Sequence, residues 1–314
     1  MKFVAIEPLG VGEGTLRKMA ERALPGDAEI VLYDTRTADT GELIRRGGDA
    51  EVIAVSNLPL PAEVIDGCKN LKLLTVAFTG VDHIALDACR RNGVTVCNSA
   101  GYSTAAVADL VFGMLVSLER KLIECDGAVR AGKTRDGLVG SELEGKTFGV
   151  VGTGAIGLRV ARIAGAFGCK VLAYSRTEKD VPGVRYVGLP ELLSTCDIIS
   201  LHAPLTGETR NMIGERELAM MKRGAVLINT ARGPLVDNAA LARALGEGKL
   251  GGAAIDVFDS EPPLAGDEPL LHAPRTVLAP HVGFATGEAL YKRAAIVLGN
   301  VEKWLAGTPQ NVIQ

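Results

Sequence analysis

GKTFGVVGTGAIGLRVARIAGAFG, residues 145–168, decides the reading of this chain. Thr147 to Val151 is a short apolar run of strand character, and Ile156 to Ala166 carries apolar residues at helical spacing. Between them stand Gly152, Gly154 and Gly157, a G-x-G-x-x-G placed directly after a strand and opening a helix. The first glycine permits the tight turn, the second lets backbone approach a pyrophosphate, and the third lets helix and strand pack closely. The N–H groups of the helix start, at Ala155 and Ile156, then face the anion from the favourable end of the helix dipole. The stretch predicts a dinucleotide-binding βα unit, and such units build parallel sheets.

The same alternation runs outward in both directions. Lys2 to Ile6, Glu51 to Val55, Leu71 to Ala77 and Val94 to Cys97 read as strands before it. Lys170 to Tyr174, Ile198 to Leu201, Ala225 to Asn229, Gly252 to Val257 and Thr276 to Ala279 read as strands after it. Leu189 to Ser194, Glu215 to Met221 and Asn238 to Glu247 are helical between them. Continuous apolar strands interleaved with amphipathic helices imply sheets covered on both faces. Two long apolar helices, Thr104 to Leu118 and Gly287 to Leu305, bracket the stronger strand series. Each is placed to carry the chain between domains, so residues 99–285 are expected as a cofactor domain inserted into a domain made of 1–98 and 286–314.

Composition excludes several classes. A chain of 314 residues is long enough for two cores, and its charged fraction of 23% is ordinary for a globular protein. A formal net charge of −3 offers no basic field for nucleic acid or an anionic membrane surface. No apolar run is long enough to span a membrane, and MKFVAIEPLG is no signal peptide. The six cysteines, Cys68, Cys89, Cys97, Cys125, Cys169 and Cys196, form no C-x-x-C pair. They are expected as free thiols, with no metal site, in a cytoplasmic protein.

Cofactor choice is written at the end of the next strand. Tyr174 is followed by Ser175, Arg176 and Thr177, with Lys179 close behind. An NAD site usually has Asp or Glu there for the ribose 2′-hydroxyl. A carboxylate would repel a 2′-phosphate, whereas Arg176 can pair with one, so NADP is the expected preference with NAD still usable.

Several further motifs follow in order: LHAPLTGETRNMI at 201–213, MKRGAVLINTARGPLVD at 221–237, GAAIDVFDSEPP at 252–263 and APHVGFAT at 279–286. With VVGTGAIG at 150–157, they resemble the D-isomer-specific 2-hydroxyacid dehydrogenase family over essentially the whole chain. The resemblance implies an α/β fold of two doubly wound parallel-sheet domains, with a Rossmann-type cofactor domain inserted in a flavodoxin-like substrate domain. It implies hydride transfer between NAD(P)H and a small 2-keto acid to give a D-2-hydroxy acid.

Such a reduction needs a cation for the carboxylate, a proton for the developing alkoxide and a placed hydride donor. The resemblance assigns the cation to Arg232 and the proton to His281, with Glu261 orienting the imidazole. Asp256 matches an acid that positions the nicotinamide or sets the proton balance. Thr104, Pro204, Thr209, Thr230 and Ala231 match positions lining the cofactor. Thr79 and Gly80 match a loop whose N–H groups meet the substrate carboxylate, and Asn57 borders the substrate. His202 faces the cofactor cleft without donating a proton, while His83 and His272 have no such context.

GYSTAAVADL at 101–110 and AFTGVDHIALD at 77–87 look most like the hydroxypyruvate and glyoxylate reductases, also called glycerate dehydrogenases. Leu138 stands where many members carry a Trp, and the single Trp is Trp304, which leaves D-lactate and branched 2-keto acids open. A protein that senses NAD(H) in the manner of a transcriptional co-repressor is the alternative of another class, and its usual basic or disordered extensions are not seen. Formate and phosphite enzymes are a further alternative, against which Glu261 counts. The apolar helix from Thr104 and the segment through Gly140 suggest a two-fold homodimer.

Overall fold

The computed structural model describes residues 1–313. The chain forms two compact units, Met1–Ser103 with Phe284–Gln314, and Thr104–Gly283. The first unit alternates β1 (Lys2–Ala5), α1 (Glu13–Ala23), β2 (Glu29–Leu32), α2 (Thr40–Gly47), β3 (Val52–Val55), α3 (Ala62–Gly67), β4 (Leu73–Val76), α4 (Leu86–Arg91) and β5 (Thr95–Cys97). The second opens with α5 (Thr104–Glu119) and α6 (Leu122–Arg130), then β6 (Thr147–Val151), α7 (Ala155–Ala166), β7 (Lys170–Tyr174), β8 (Val184–Tyr186) and α8 (Leu189–Thr195). It continues through β9 (Ile198–Leu201), α9 (Glu215–Met220), β10 (Val226–Asn229), α10 (Asn238–Gly246), β11 (Gly252–Ile255) and β12 (Thr276–Leu278). The chain then returns to the first unit as α11 (Gly287–Leu305).

Every strand pair is parallel. The first sheet has the order β2-β1-β3-β4-β5, the flavodoxin-like order, and the second has β12-β11-β10-β9-β6-β7-β8. Both faces of each sheet are packed. In the second unit Phe148, Val150, Ile198, Val226 and Ile228 face α5 and α7. Val151, Ile199, Leu201, Leu227 and Ile255 face the opposite core, with Leu192, Leu218 and Leu241 from the helices. In the first unit Val4, Ile53 and Leu74 lie on one face and Phe3, Val52 and Leu73 on the other. Side chains alternate across a strand, so two covered faces favour apolar residues at nearly every position, with hydrogen-bonded exceptions such as Thr75, Ser200 and Asn229. That is why these strands read as continuous apolar runs.

Two edge strands, β2 and β8, had no counterpart in the sequence reading. Both are partly exposed, so their sequences, EIVL and VRY, lack the apolar continuity of the central strands. The strand expected at Gly252 to Val257 stops at Ile255; the Asp256 N–H still donates to the Asn229 carbonyl at 2.9 Å, while its own carbonyl accepts from His281 of the following loop. The cysteines are free thiols, four buried and two half-buried. Among the described residues no helix is long and apolar enough to cross a membrane.

The glycine loop is where backbone geometry is tightest. Gly152 has φ +95°, a region that side chains disfavour, and a Cβ there would stand 2.7 Å from the His202 carbonyl. A Cβ on Gly157 would collide with the Gly152 carbonyl oxygen, so the missing side chain sets how closely α7 approaches β6. Gly157→Ala is therefore expected to cost about 1–3 kcal/mol by overpacking. Urea unfolding would measure it, and an unchanged midpoint would refute the close-packing role.

Candidate active site

Parallel strands all deliver their following loops to one edge of the sheet, and ligands in such sheets bind at the switch point of strand order. In the second unit that point lies between β6 and β9. There Gly152 abuts the backbone of His202 and Ala203, and the Gly152 and His202 N–H groups donate to Tyr174 and Val151 carbonyls at 2.7 Å. Gly154 caps α7 without a side-chain hydrogen bond and has no neighbour that a Cβ would meet. The first N–H groups of α7, including those of Ala155 and Ile156, thus begin a helix whose end is left open to an anion.

Two buried hydroxyls beyond strand ends, Thr153 Oγ1 in this turn and Thr230 Oγ1 after β10, have no hydrogen-bond partner. Buried polar atoms are rarely left so, and their orphaned state fits a polar cofactor laid across the strand ends. At the end of β7, Ser175 is half-buried while Arg176 and Thr177 are exposed. Lys179 is committed elsewhere, donating to the Thr153 carbonyl at 2.9 Å. Thr209 Oγ1 donates to the Pro204 carbonyl at 2.7 Å and accepts from Thr206 N–H at 2.8 Å, so it ties its own turn. Thr104 is the first residue of α5 and half-buried.

After β10 the chain turns through Thr230 and Ala231 to Arg232. Buried Asn229 holds that turn, donating to the Arg232 carbonyl at 2.8 Å and accepting from Ala231 N–H at 3.1 Å. Arg232 is half-buried and also donates from Nη1 to the Ala231 carbonyl at 2.8 Å. Gly233 lets this turn press against the Phe258 backbone, where any Cβ would clash. The β10 and β11 loops are thereby fixed to each other.

Asp256, 1% exposed, begins the β11 loop and grips the loop after β12. Its backbone carbonyl accepts His281 N–H at 2.8 Å. Its Oδ1 accepts Val282 N–H and its Oδ2 accepts Gly283 N–H, both at 2.8 Å. Burial raises the pKa of this carboxyl, and the two backbone hydrogen bonds and the His281 charge pull it back only in part. His281 itself sits at φ +56°, the left-handed region. Its Nδ1 lies 2.8 Å from Glu261 Oε1 and 3.0 Å from Oε2. A carboxylate only accepts, so Nδ1 carries the hydrogen and Nε2 is the nitrogen left to exchange a proton.

His202 is a different case. Its Nε2 meets Ser200 Oγ at 2.9 Å, and burial brings the ring's pKa down to about 4, so it is neutral at pH 7. Asp256, Asn229 and Gly233 show that positions near the catalytic candidates are held by backbone clamps. Asn229 and Gly233 lie inside the quoted NTARG motif, yet their clamp roles leave no mark in a single sequence.

The remaining predicted positions belong to the first unit. Asn57 is flanked by Ser56 and Leu58, whose N–H groups both donate to Glu7 Oε1, at 2.8 and 2.9 Å. Glu7 is 1% exposed and its Oε2 pairs with Arg36 at 3.0 Å. Thr79 is exposed, Gly80 is half-buried, and Asn98 Nδ2 donates to the Thr79 carbonyl at 2.8 Å. His83 Nε2 meets the Ser56 carbonyl at 3.0 Å, which links the loops after β3 and β4. Glu7, Asn98 and His83 were not marked as site residues by sequence, because their partners lie 49, 19 and 27 positions away or more.

Comparison with known proteins shows which family the chain resembles. A family profile described as the D-isomer specific 2-hydroxyacid dehydrogenase NAD binding domain matches residues 112–283. A hydroxypyruvate reductase of Blautia hydrogenotrophica is 34% identical, with 100% of this chain and 99% of the relative aligned. A glyoxylate reductase of Thermococcus litoralis is 40% identical over 91% of this chain and 90% of the relative. Among solved structures, an acyclic imino acid reductase in complex with NADPH and D-Arg superposes with a TM-score of 0.90 at 33% identity, covering 100% of both chains.

Proposed function

The chain belongs to the D-isomer-specific 2-hydroxyacid dehydrogenase family of NAD(P)-dependent oxidoreductases acting on CH–OH donors, and from that premise we propose that it reduces hydroxypyruvate and glyoxylate with NADPH. The observation that carries the chemistry is the His281–Glu261 pair held against Asp256 at the end of the second sheet. We assign the cofactor to the inserted unit, which contains the segment 112–283 that matches the family's NAD binding domain, and the substrate role to the two flanking segments.

A bound nicotinamide dinucleotide supplies the hydride, and the chain's own groups do the rest. Arg232 takes the substrate carboxylate through charge-assisted hydrogen bonds. His281 gives its Nε2 proton to the carbonyl oxygen as C2 is reduced, and takes it back in the oxidation direction. Glu261 keeps the imidazole oriented through Nδ1 and stabilises it when cationic. In the first unit Asn57 and the Thr79 and Gly80 N–H groups are assigned to the substrate. The cofactor is assigned to Gly152, Gly154, Ala155, Ile156, Gly157, Thr104, Pro204, Thr230 and Ala231, with Ser175, Arg176 and Thr177 at its adenosine end. Asp256 acts through the His281 loop, and Thr209 through its own turn. The free thiols and the family's chemistry suit a cytoplasmic enzyme.

Replacing His281 by Asn is expected to lower kcat by about 10²–10⁴-fold, the usual worth of general acid catalysis, with cofactor affinity kept. Glu261→Gln, which still accepts a hydrogen bond but removes the charge, should lose less. Steady-state rates from the absorbance of reduced cofactor test both, and a His281→Asn enzyme with wild-type kcat would end this assignment.

Coenzyme choice is a separate question for the same assay. Arg176 at the end of β7, with no acid in Ser175 to Thr177, favours the 2′-phosphate. We expect a KM for NADPH about 10- to 100-fold below that for NADH, the worth of a charged hydrogen bond, and Arg176→Ala should erase the difference. A wild-type preference for NADH would reject the phosphate pairing while leaving the reaction class intact.

The chain is further inferred to be a homodimer. Helix α6 buries none of its residues within the chain, and Leu122, Ile123, Val129 and Val139 (the last 84% exposed) leave apolar surface around it. Sedimentation should give about twice the 32.8 kDa chain mass, and Ile123→Glu with Val139→Asp should halve it. A wild-type monomer would refute the inference.

A further inference from the structure

The loop that follows β7 is tied to the glycine turn at both of its ends. At the near end the Gly152 N–H donates to the Tyr174 carbonyl at 2.7 Å, and at the far end Lys179 Nζ donates to the Thr153 carbonyl at 2.9 Å. Between these points lie Ser175, Arg176, Thr177 and Glu178, the last three exposed. Lys179 is exposed as well, yet its ammonium folds back onto the turn instead of extending into solvent. Thr153 is 2% exposed, and its Oγ1 has no hydrogen-bond partner. All of these residues belong to the second unit.

An ammonium carries three N–H donors and no acceptor, so the Thr153 carbonyl occupies one and leaves two. Among the described residues neither Lys179 nor Arg176 forms an ion pair, and the exposed acids Glu178 and Asp180 engage neither. The seat is electrostatically odd. Thr153 directly precedes Gly154, the N-cap of the 12-residue α7, and the start of a helix is its positive end. A cation held there is disfavoured, whereas a neutral amide could tie the loop to the same carbonyl without that repulsion. An anion at the same place reverses the sign, since it attracts both the helix end and the ammonium. The buried Thr153 hydroxyl, unmet in the same turn, is a second polar group without a protein partner. In such folds the adenosine ribose is held just past the strand that follows the glycine helix, and that strand here is β7.

We propose that Lys179 is a coenzyme-specificity residue that pairs with the 2′-phosphate of NADP from its seat on the glycine turn. This rests on the NADPH preference assigned to Arg176 and adds a second cation, one that the fold positions before the ligand arrives. Arg176 stands on an exposed stretch, whereas Lys179 is fixed by the Thr153 carbonyl and in turn closes the loop that carries Arg176. An ammonium fixed in advance loses less freedom on binding, so more of the ion-pair energy reaches affinity. A contact with the bridging phosphates would help NAD and NADP alike. Discrimination between the two coenzymes therefore singles out the phosphate on the ribose.

Calorimetry with adenosine 2′,5′-bisphosphate and adenosine 5′-monophosphate reads the 2′-phosphate without any turnover. The comparison takes wild type, Lys179→Met, Lys179→Gln, Lys179→Arg and Arg176→Ala. Wild type should bind the bisphosphate about 10- to 100-fold tighter than the monophosphate, the worth of charged hydrogen bonds. Lys179→Met and Lys179→Gln should each lower that ratio by about 10-fold through the bisphosphate alone, and Lys179→Arg should keep most of it. The glutamine keeps a donor for the Thr153 carbonyl but carries no charge, so it separates phosphate pairing from loop closure. A wild-type ratio retained in Lys179→Gln would overturn the proposal. So would an equal loss for both probes, which would put the ammonium at the 5′-phosphate or make its role structural. A ratio lost in Arg176→Ala but kept in both neutral Lys179 variants would sink Lys179 alone. If wild type does not distinguish the probes, the NADPH preference falls and the proposal with it.

Discussion

The parallel direction of each sheet is the constraint from which the rest follows. Strands buried on both faces have no position for a charged group, and parallel strands send all their C-terminal ends to one edge. Charged groups are therefore kept out of the central strands, apart from a few neutral polar residues such as Thr75, Ser200 and Asn229, and collect just beyond them. Gly152 follows β6, His202 follows β9, Thr230 follows β10, Asp256 follows β11 and His281 lies shortly after β12. The order of the second sheet places the β6 and β9 ends side by side, and the Gly152–His202 approach is the direct result.

Loops at a sheet edge are soft unless something holds them, and here buried polar side chains do it. Asp256 is the strongest instance. A left-handed histidine costs about 1–2 kcal/mol in backbone energy. Against that stand the three N–H groups of His281, Val282 and Gly283, all donating to Asp256 at 2.8 Å. The two bonds to the carboxylate oxygens contribute about 1.5–3 kcal/mol each and the one to the Asp256 backbone carbonyl about 1 kcal/mol, so the clamp wins and the ring is aimed by the backbone before any ligand arrives. Asn229 and Gly233 fix the Arg232 turn in the same manner. The catalytic candidates are thus positioned through main-chain contacts, and a change in Asp256 would act through His281 even without touching substrate.

Sequence reading recovers whatever is encoded locally. The glycine spacing, the central strands and the order of elements depend on residues a few positions apart, so period and turn chemistry expose them. His281 and Glu261 are 20 positions apart, and only the resemblance of their surrounding motifs joined them before the structure did. The clamps are non-local. Glu7 acts on Ser56 and Leu58, and Arg293 on Leu9, 284 positions earlier. An acid in a loop after β1 or an arginine in a long helix looks like surface decoration in one dimension. Edge strands β2 and β8 were missed for the opposite reason, since half-exposed strands are freed from the apolar rule that betrays the others.

Glu7 and Arg293 are two buried charged groups of one unit whose hydrogen bonds are completed to different degrees. Both are almost fully buried at the same sheet edge. Glu7 has every oxygen engaged: two N–H groups on one and a guanidinium on the other, across the β1 and β3 loops. Such a closed set fixes the Asn57 loop and asks for nothing more. Arg293 has Nε and Nη1 without a partner, and in the second unit Thr153 of the glycine turn and Thr230 after β10 have unmet hydroxyls. An unfilled hydrogen bond in a dry place is a standing cost that folding alone does not recover. For Thr153 and Thr230, inside the segment that matches the family's NAD binding domain, such a cost fits hydroxyls that meet a polar dinucleotide.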